Sequence, residues 1–279
     1  MGVIHRNFTH LLRRYNEEYF CGKLESMGVR TTITKIVGLQ HPHDKVVEIL
    51  THFGHRGRLL DAPAGDGTIS QRLKEAGFEV VAADINPQRF HIKGISCKKA
   101  DLNQSLPFEN ESFDFILSSN GIEHLETPFL FVRECSRILK GRGKLLITTP
   151  NTLNLRSRLA HLLTGFNLFK GRPCNEVDLY QGGGHIHLTN YYELRINLHR
   201  NGFRIIDATT HMFSKTAMFL FPLYPFVYLV TDRAFRREKR PLQRERNRET
   251  FRHVLSADLV FGKKLFLTAE KDPDYQKNI

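Results

Sequence analysis

The chain has 279 residues, 41% of them hydrophobic, enough for a sizeable core in one large domain with additions. Its 41 Lys and Arg against 29 Asp and Glu give a net charge of +12, which keeps nucleic acid, an anionic membrane surface and an acidic substrate open as partners. Cys21, Cys97, Cys135 and Cys174 stand far apart with no CxxC pair, which argues against a zinc knuckle or a disulfide framework and fits a reducing cytoplasm.

Residues 1–55 read as an N-terminal helical cap. Leu11, Leu12, Tyr15 and Tyr19 recur at helical spacing, and "HPHDKVVEILTHF" sets Pro42 at a helix start. The first twenty residues are broken by charge every few positions and lack the apolar core of a secretion signal. From Gly57 the pattern changes to short apolar runs bounded by turn residues: "GRLLDA", "FEVVAAD", "ISCKKA", "FDFILSSN" and "GKLLITTP", separated by helix-length amphipathic segments. Strands alternating with helices imply an α/β fold with a mostly parallel sheet covered on both faces.

Residues 151–190 break that rhythm and carry Gly182-Gly183-Gly184, so they read as a lid excursion. The alternation resumes with the helix "NYYELRINLHRNGF", ended by Gly202, and the strand "RIIDATT"; the seventh strand, "KKLFLTAEK", follows only after an insertion over 211–255. The domain then spans 56–271 with a tail at 272–279, and neither internal repeats nor a flexible linker divides it.

"GRLLDAPAGDGTISQRLKEAGFEVVAADINP" has the order strand, tight glycine turn, helix, strand, acidic residue. Gly65 and Gly67 let the backbone approach a ligand, and the helix that follows presents unpaired amides and a positive dipole end. Asp84 ends the second strand, where a carboxylate accepts hydrogen bonds from both hydroxyls of a ribose. The turn runs Ala62-Pro63-Ala64-Gly65-Asp66-Gly67 after Asp61, with Pro63 where the first glycine of such turns commonly stands. Carboxylates at Asp61 and Asp66 would repel a pyrophosphate but suit a ligand bearing an ammonium and a sulfonium, which points to S-adenosylmethionine.

With "LLDAPAGDG", "VVAADINP", "ADLNQSLPFENESFDFILSSNGIEHLETP" and "RILKGRGKLLITTPN" in order, the stretch from Arg58 to Asn151 resembles the Rossmann-like class I S-adenosylmethionine-dependent methyltransferases, of the group that includes ubiquinone-biosynthesis and sugar or lipid methyltransferases. The resemblance implies a seven-strand sheet and places Asp61, Ala62, Gly65 and Gly67 at the cofactor's methionine end. It sets Asp84 on the ribose, Ile85 against the adenine, Asp101 and Leu102 at the adenine edge, and Asn120 near the sulfonium. The alternative for Asp101 is a helix or turn cap, and for Ile85 an ordinary core residue.

The acceptor side is less determined. In "SSNGIEHLETP", His124 follows the fourth strand at the mouth of the cleft, where a base could reach a hydroxyl, with Glu123 beside it. An EH pair there also serves simply to orient the turn. In ubiquinone-pathway O-methyltransferases a similar segment carries two carboxylates and a histidine associated with a divalent metal. Asn120 occupies the first carboxylate position here, so no metal is expected. His185 and His187 in "GGGHIHLTN" are the second candidates, as lid residues near substrate.

Residues 217–230 are apolar but too short for a spanning helix and interrupted by Pro222 and Pro225. Residues 233–252 follow with nine Arg or Lys against three Glu, half the chain's net excess of +12. The pairing suits an anchor on an anionic membrane at 217–252, and equally a substrate pocket or dimer face beside a solvated helix. Nucleic acid is disfavoured, since "SSNGIEHLE" stands where a "DPPY"-like or "NPPY"-like segment would be. The expectation is a cytoplasmic enzyme, peripheral on the inner face of a membrane, that methylates a hydroxyl on a saccharide, lipid-linked or quinone-like acceptor. A soluble small-metabolite N- or O-methyltransferase and a non-catalytic binding module of the same fold are the competing readings.

Overall fold

The computed structural model describes residue 35 and residues 41–166, 185–187, 189–272 and 274–275. The helix expected around Leu11 to Tyr19 and the lid glycines Gly182 to Gly184 lie outside these residues. Helix α1 (Pro42–Thr51) starts at the expected proline, where a missing amide costs nothing, and the His41 side chain accepts the His43 amide as its cap.

All seven expected strands form one sheet: β1 (Arg58–Asp61), β2 (Glu79–Asp84), β3 (Cys97–Lys99), β4 (Phe113–Ser119), β5 (Leu139–Pro150), β6 (Phe203–Thr209) and β7 (Lys264–Lys271). Their spatial order is β3-β2-β1-β4-β5-β7-β6, and β7 runs antiparallel to both neighbours. Helices α2 (Thr68–Glu75), α3 (Pro128–Ile138), α4 (Leu155–Thr164) and α5 (Tyr191–Arg200) connect the strands. β5 begins four residues before the expected "GKLLITTP", because the chain leaves α3 at Ile138 directly into the sheet and absorbs an irregularity opposite Phe113 and Phe115.

Alternation along the strands fills both faces of the sheet. Leu59, Phe115, Leu117 and Leu146 point into one apolar cluster with Val46 and Leu50 of α1 and Leu73 of α2. Leu60, Ile116, Leu145 and Ile147 point into the other, with Phe131, Val132 and Leu198 from α3 and α5. The chain turns outward in both directions from β1 and β4, which opens a crevice at the carboxyl ends of those strands.

The insertion between β6 and β7 contains α6 (Lys215–Phe219), a single helical turn at Phe221–Leu223, α7 (Tyr224–Arg236), α8 (Pro241–Val254) and α9 (Ala257–Phe261). Since β6 ends opposite the start of β7, and Lys264 pairs with Pro150 at the end of β5, the whole insertion sits at the carboxyl edge of the sheet. It carries its own apolar cluster, in which Leu155 of α4 meets Phe213, Ala217, Tyr224, Leu255, Val260 and Phe261.

Two polar clamps fix the insertion. Asn151, just past β5, donates through Nδ2 to the carbonyls of Leu259 at 2.8 Å and Gly262 at 2.9 Å. The Lys35 ammonium meets Asp258 at 2.6 Å and Thr209 Oγ1 at 3.3 Å, with both charged side chains almost entirely buried. Removing one member of such a pair leaves the other desolvated. Asp258→Ala is therefore expected to lower unfolding stability by about 3–5 kcal/mol, read as a reduced urea midpoint.

Candidate active site

The turn after β1 is held from both sides. Ala62 donates its amide to the Leu117 carbonyl at 2.9 Å and Ala64 to the Ala83 carbonyl at 3.0 Å, so the loop is suspended between β4 and β2. Pro63 at its start packs its ring against Gly121, past the end of β4. Gly65 has φ +56°, and no atom lies within 4 Å of where a Cβ would stand, which leaves an open cradle above the loop. Gly67, with φ +87°, begins α2 where a Cβ would come within 2.6 Å of Ile92 and 2.7 Å of Phe90. Phe90 and Ile92 thus lie across the turn, although no local sequence signal marks them.

Asp84 is the hub of this geometry. One carboxylate oxygen accepts the Gly65 amide and the other the Asn86 amide, each at 2.9 Å, while the Asp84 carbonyl accepts the Ala100 amide at 2.9 Å. Ile85 follows it 63% exposed, an apolar wall free to take a flat ring rather than a core residue. Leu102 is buried, and Asp101 accepts the Asn103 amide at 2.9 Å and the Gln104 side chain at 3.2 Å. Asp101 is thus a turn cap in this structure, with acceptor capacity remaining on its oxygens.

Asp61 sits deeper than the sequence suggests. It is 0% exposed beneath the turn and accepts the Ser70 hydroxyl on Oδ2 at 2.5 Å, while Oδ1 has no partner among the described residues. Burial, reinforced by the charges of Asp84 and Asp66, raises its carboxyl to about 7. Asp66 is exposed, and its bond from the Thr68 amide holds it below the ordinary carboxylate range.

On the acceptor side, Asn120 adopts φ +50° and donates its amide to the Thr148 carbonyl at 2.9 Å. Its Oδ1 accepts from the Lys264 ammonium at 2.8 Å. Glu123 is 1% exposed, its carboxylate closed off from water. Burial raises its carboxyl, against the opposing pull of its own backbone amide, His124 and Lys264.

The His124 and His185 rings meet edge to face, 4.9 Å between centroids, and the His187 amide donates to the Glu123 carbonyl at 3.0 Å. The two histidine segments named separately in the sequence are therefore brought together. Glu123, His124 and His185 each place a ligand atom within 4.8 Å of the others. The sequence reading expected no metal because Asn120 stands at the first carboxylate position, yet the fold supplies a third donor from residue 185. These three residues fit a divalent cation, which would act there as a Lewis acid on an acceptor oxygen.

Lys264 and two histidines, His211 and His43, complete the site. Burial lowers the Lys264 ammonium from its ordinary range, while Glu123 counters the shift. His211 falls to about 4 through burial and then the charges of Lys264, Lys263 and His41. Burial and His41, with Arg72 and Lys264, lower His43, and Asp66 opposes them. The amino end of α1 thus stands beside the crevice. Lys264, His211 and His43 lie outside any local motif, and only the antiparallel course of β7 and the packing of α1 bring them here.

The raised Asp61 carboxyl has a thermodynamic consequence. The folded state keeps the proton longer than the unfolded chain, so its contribution is fully present below about pH 4 and is lost as pH rises through about 7. Asp61→Asn should remove this loss: the stability of the variant relative to the parent rises between pH 4 and pH 8, by an amount on the order of a few kcal/mol. Urea midpoints of both proteins across that range measure it.

Residues 60–147 match a family model described as a methyltransferase domain. A ubiquinone biosynthesis O-methyltransferase of Cereibacter sphaeroides is 28% identical over 102 residues, covering 34% of this chain and 41% of the relative. A probable S-adenosylmethionine-dependent methyltransferase of Mycobacterium tuberculosis is 31% identical over 126 residues, 43% of this chain and 44% of the relative. The chain thus spans less than half the length of these relatives. Among solved structures, an S-adenosylmethionine-dependent methyltransferase from Mesorhizobium loti superposes with a TM-score of 0.51 at 16% identity, over 82% of this chain and 97% of that one. Sheet order, suspended glycine turn and strand-end carboxylate agree with that match, and the central segment, residues 60–147, is a methyltransferase domain of the Rossmann-like class I fold.

Proposed function

We propose that this protein transfers a methyl group from S-adenosylmethionine to a hydroxyl, with His124 as the base that takes the hydroxyl proton. The observation that carries the reading is the convergence of His124, Glu123 and His185 at the mouth of the crevice, one strand end away from the Gly65–Asp84 cradle. Relatives named for ubiquinone biosynthesis O-methylation support oxygen as the accepting atom. A saccharide, lipid-linked or quinone-like molecule is the acceptor class that this reading favours.

When bound, the cofactor supplies a methyl already activated by the positive sulfur. The chain's own residues must do the rest. The Gly65 cradle and Asp84 hold the ligand, and Ile85 offers a flat apolar wall. Asn120, fixed by Thr148 and Lys264, sets the floor between cofactor and acceptor. The oxygen must lie in line with the methyl–sulfur bond, and His124 receives its proton as that bond exchanges.

Calorimetry should register S-adenosylmethionine binding to the purified chain. Asp84→Ala should weaken it by roughly 10- to 100-fold, the worth of a hydrogen bond to a charged group. Absence of any cofactor binding would overturn the reading. His124→Ala should lower kcat by about 10²–10⁴-fold with cofactor affinity unchanged. A base acting directly retains its activity after dialysis against EDTA, whereas loss restored by a divalent cation would reassign His124, Glu123 and His185 to a metal.

A further inference from the structure

Fifteen large apolar side chains are exposed among the described residues, and six of them fall between Phe219 and Val230. They are not strays of a loosely packed segment. Tyr224, Val227 and Tyr228 face inward from α7 into the insertion's own apolar cluster, and Phe235 and Tyr228 both pack against Phe251 of α8. On the other side of the same helix, Phe226 is 69% exposed, with Leu229 and Val230 exposed one turn later. Phe219, at the end of α6, is 83% exposed. A helix that is apolar on both faces has a partner on both faces. Only one of these partners lies among the described residues. Helix α4, which packs against α6, adds exposed Leu162 and Leu163.

Charge identifies the second partner. The outward stripe of α7 continues from Phe226, Leu229 and Val230 into Arg233, and Arg237, Lys239, Arg244 and Arg248 follow, all exposed and in no ion pair among the described residues. An open groove at the junction of α7 and α8 is lined by Phe235, Arg237 and Lys239. Apolar side chains beside unpaired guanidinium and ammonium groups match the two layers of an anionic bilayer, acyl boundary and headgroup. No helix among the described residues is long and apolar enough to cross a membrane, so the contact is with its surface.

We propose that the outer face of α6 and α7, with the basic side chains of α7 and α8, docks on an anionic lipid bilayer. The insertion lies at the carboxyl edge of the sheet, so docking turns the crevice toward the lipid. Resting on the methyl-transfer reading, this orientation specifies the acceptor as an amphipathic molecule whose hydroxyl lies at headgroup level.

Flotation of the full chain with vesicles of phosphatidylcholine alone, or with phosphatidylglycerol added in about equal part, tests the docking separately from catalysis. The chain should float with the anionic vesicles and stay behind with the neutral ones, and raised salt should weaken the association. Phe226→Asp with Val230→Asp should abolish flotation, and Arg237→Glu with Arg244→Glu should weaken it by about fivefold or more per charge, the worth of one cation at such a surface. S-adenosylmethionine binding by each variant, measured calorimetrically, shows that the fold is intact and keeps failure of docking distinct from failure of the enzyme reading. The proposal falls if the parent chain does not float with anionic vesicles, or floats equally after Phe226→Asp with Val230→Asp. It falls also if light scattering shows a dimer that those two substitutions dissociate, since a second copy then covers the face.

Discussion

The bond from the Gly65 amide to the Asp84 carboxylate joins the ends of two neighbouring strands, and most of the crevice depends on it. β1 and β2 are already parallel neighbours, but their register alone leaves the turn between Asp61 and Gly67 free to fold elsewhere. With Gly65 tied to Asp84, and Ala64 to the Ala83 carbonyl, the turn is stretched over the strand ends and its glycine stands open to solvent. The same carboxylate also accepts from Asn86, which sends Ile85 outward instead of into the core. One anion thus shapes both the cradle and its apolar wall. Asp61, directly beneath, is buried so completely that its own ionisation is opposed by that anion.

What could be read in the sequence was what is local. Seven strands were visible because each is a short apolar run between turn residues, and their alternating side chains fill two opposite clusters. Gly65, Gly67 and Asp84 were visible because strand, turn, helix and strand follow without interruption. Depth was not visible: Asp61 resembles an exposed turn carboxylate in sequence, while the fold seals it under α2 beside Ser70. Asp101 shows why a residue type cannot settle a role, since its carboxylate is engaged as a turn cap whether or not a ligand is near.

The remainder of the site is assembled by long-range topology. Lys264 reaches Asn120 across a separation of 144 residues because β7 enters the sheet antiparallel, beginning at the edge where β5 ends. His185 reaches His124 because the His187 amide is paired with the Glu123 carbonyl. No periodicity or spacing encodes such contacts. They follow from the closure of the sheet, and they introduce a cation and a third side chain of metal-ligand type that the strand-end segment lacks.

The antiparallel strand has one more consequence. Parallel connections carry the chain from one edge of a sheet to the other, but the connection from β6 to β7 leaves and returns at the carboxyl edge. Chain added there accumulates over the crevice, and lengthening such a connection costs little entropy, since closure grows only with the logarithm of length. The added helices can therefore diverge without disturbing β1, β2 or the glycine turn, provided that something binds them down. Asn151 holding the Leu259 and Gly262 carbonyls, and Asp258 holding Lys35, do this. Half the chain's net positive charge lies in a segment of that insertion, while carboxylates gather at the glycine turn, Asp84 and Asp66 around it and Asp61 buried beneath it. The carboxylates of the glycine turn and the cations of the insertion thus stand on separable parts of one fold.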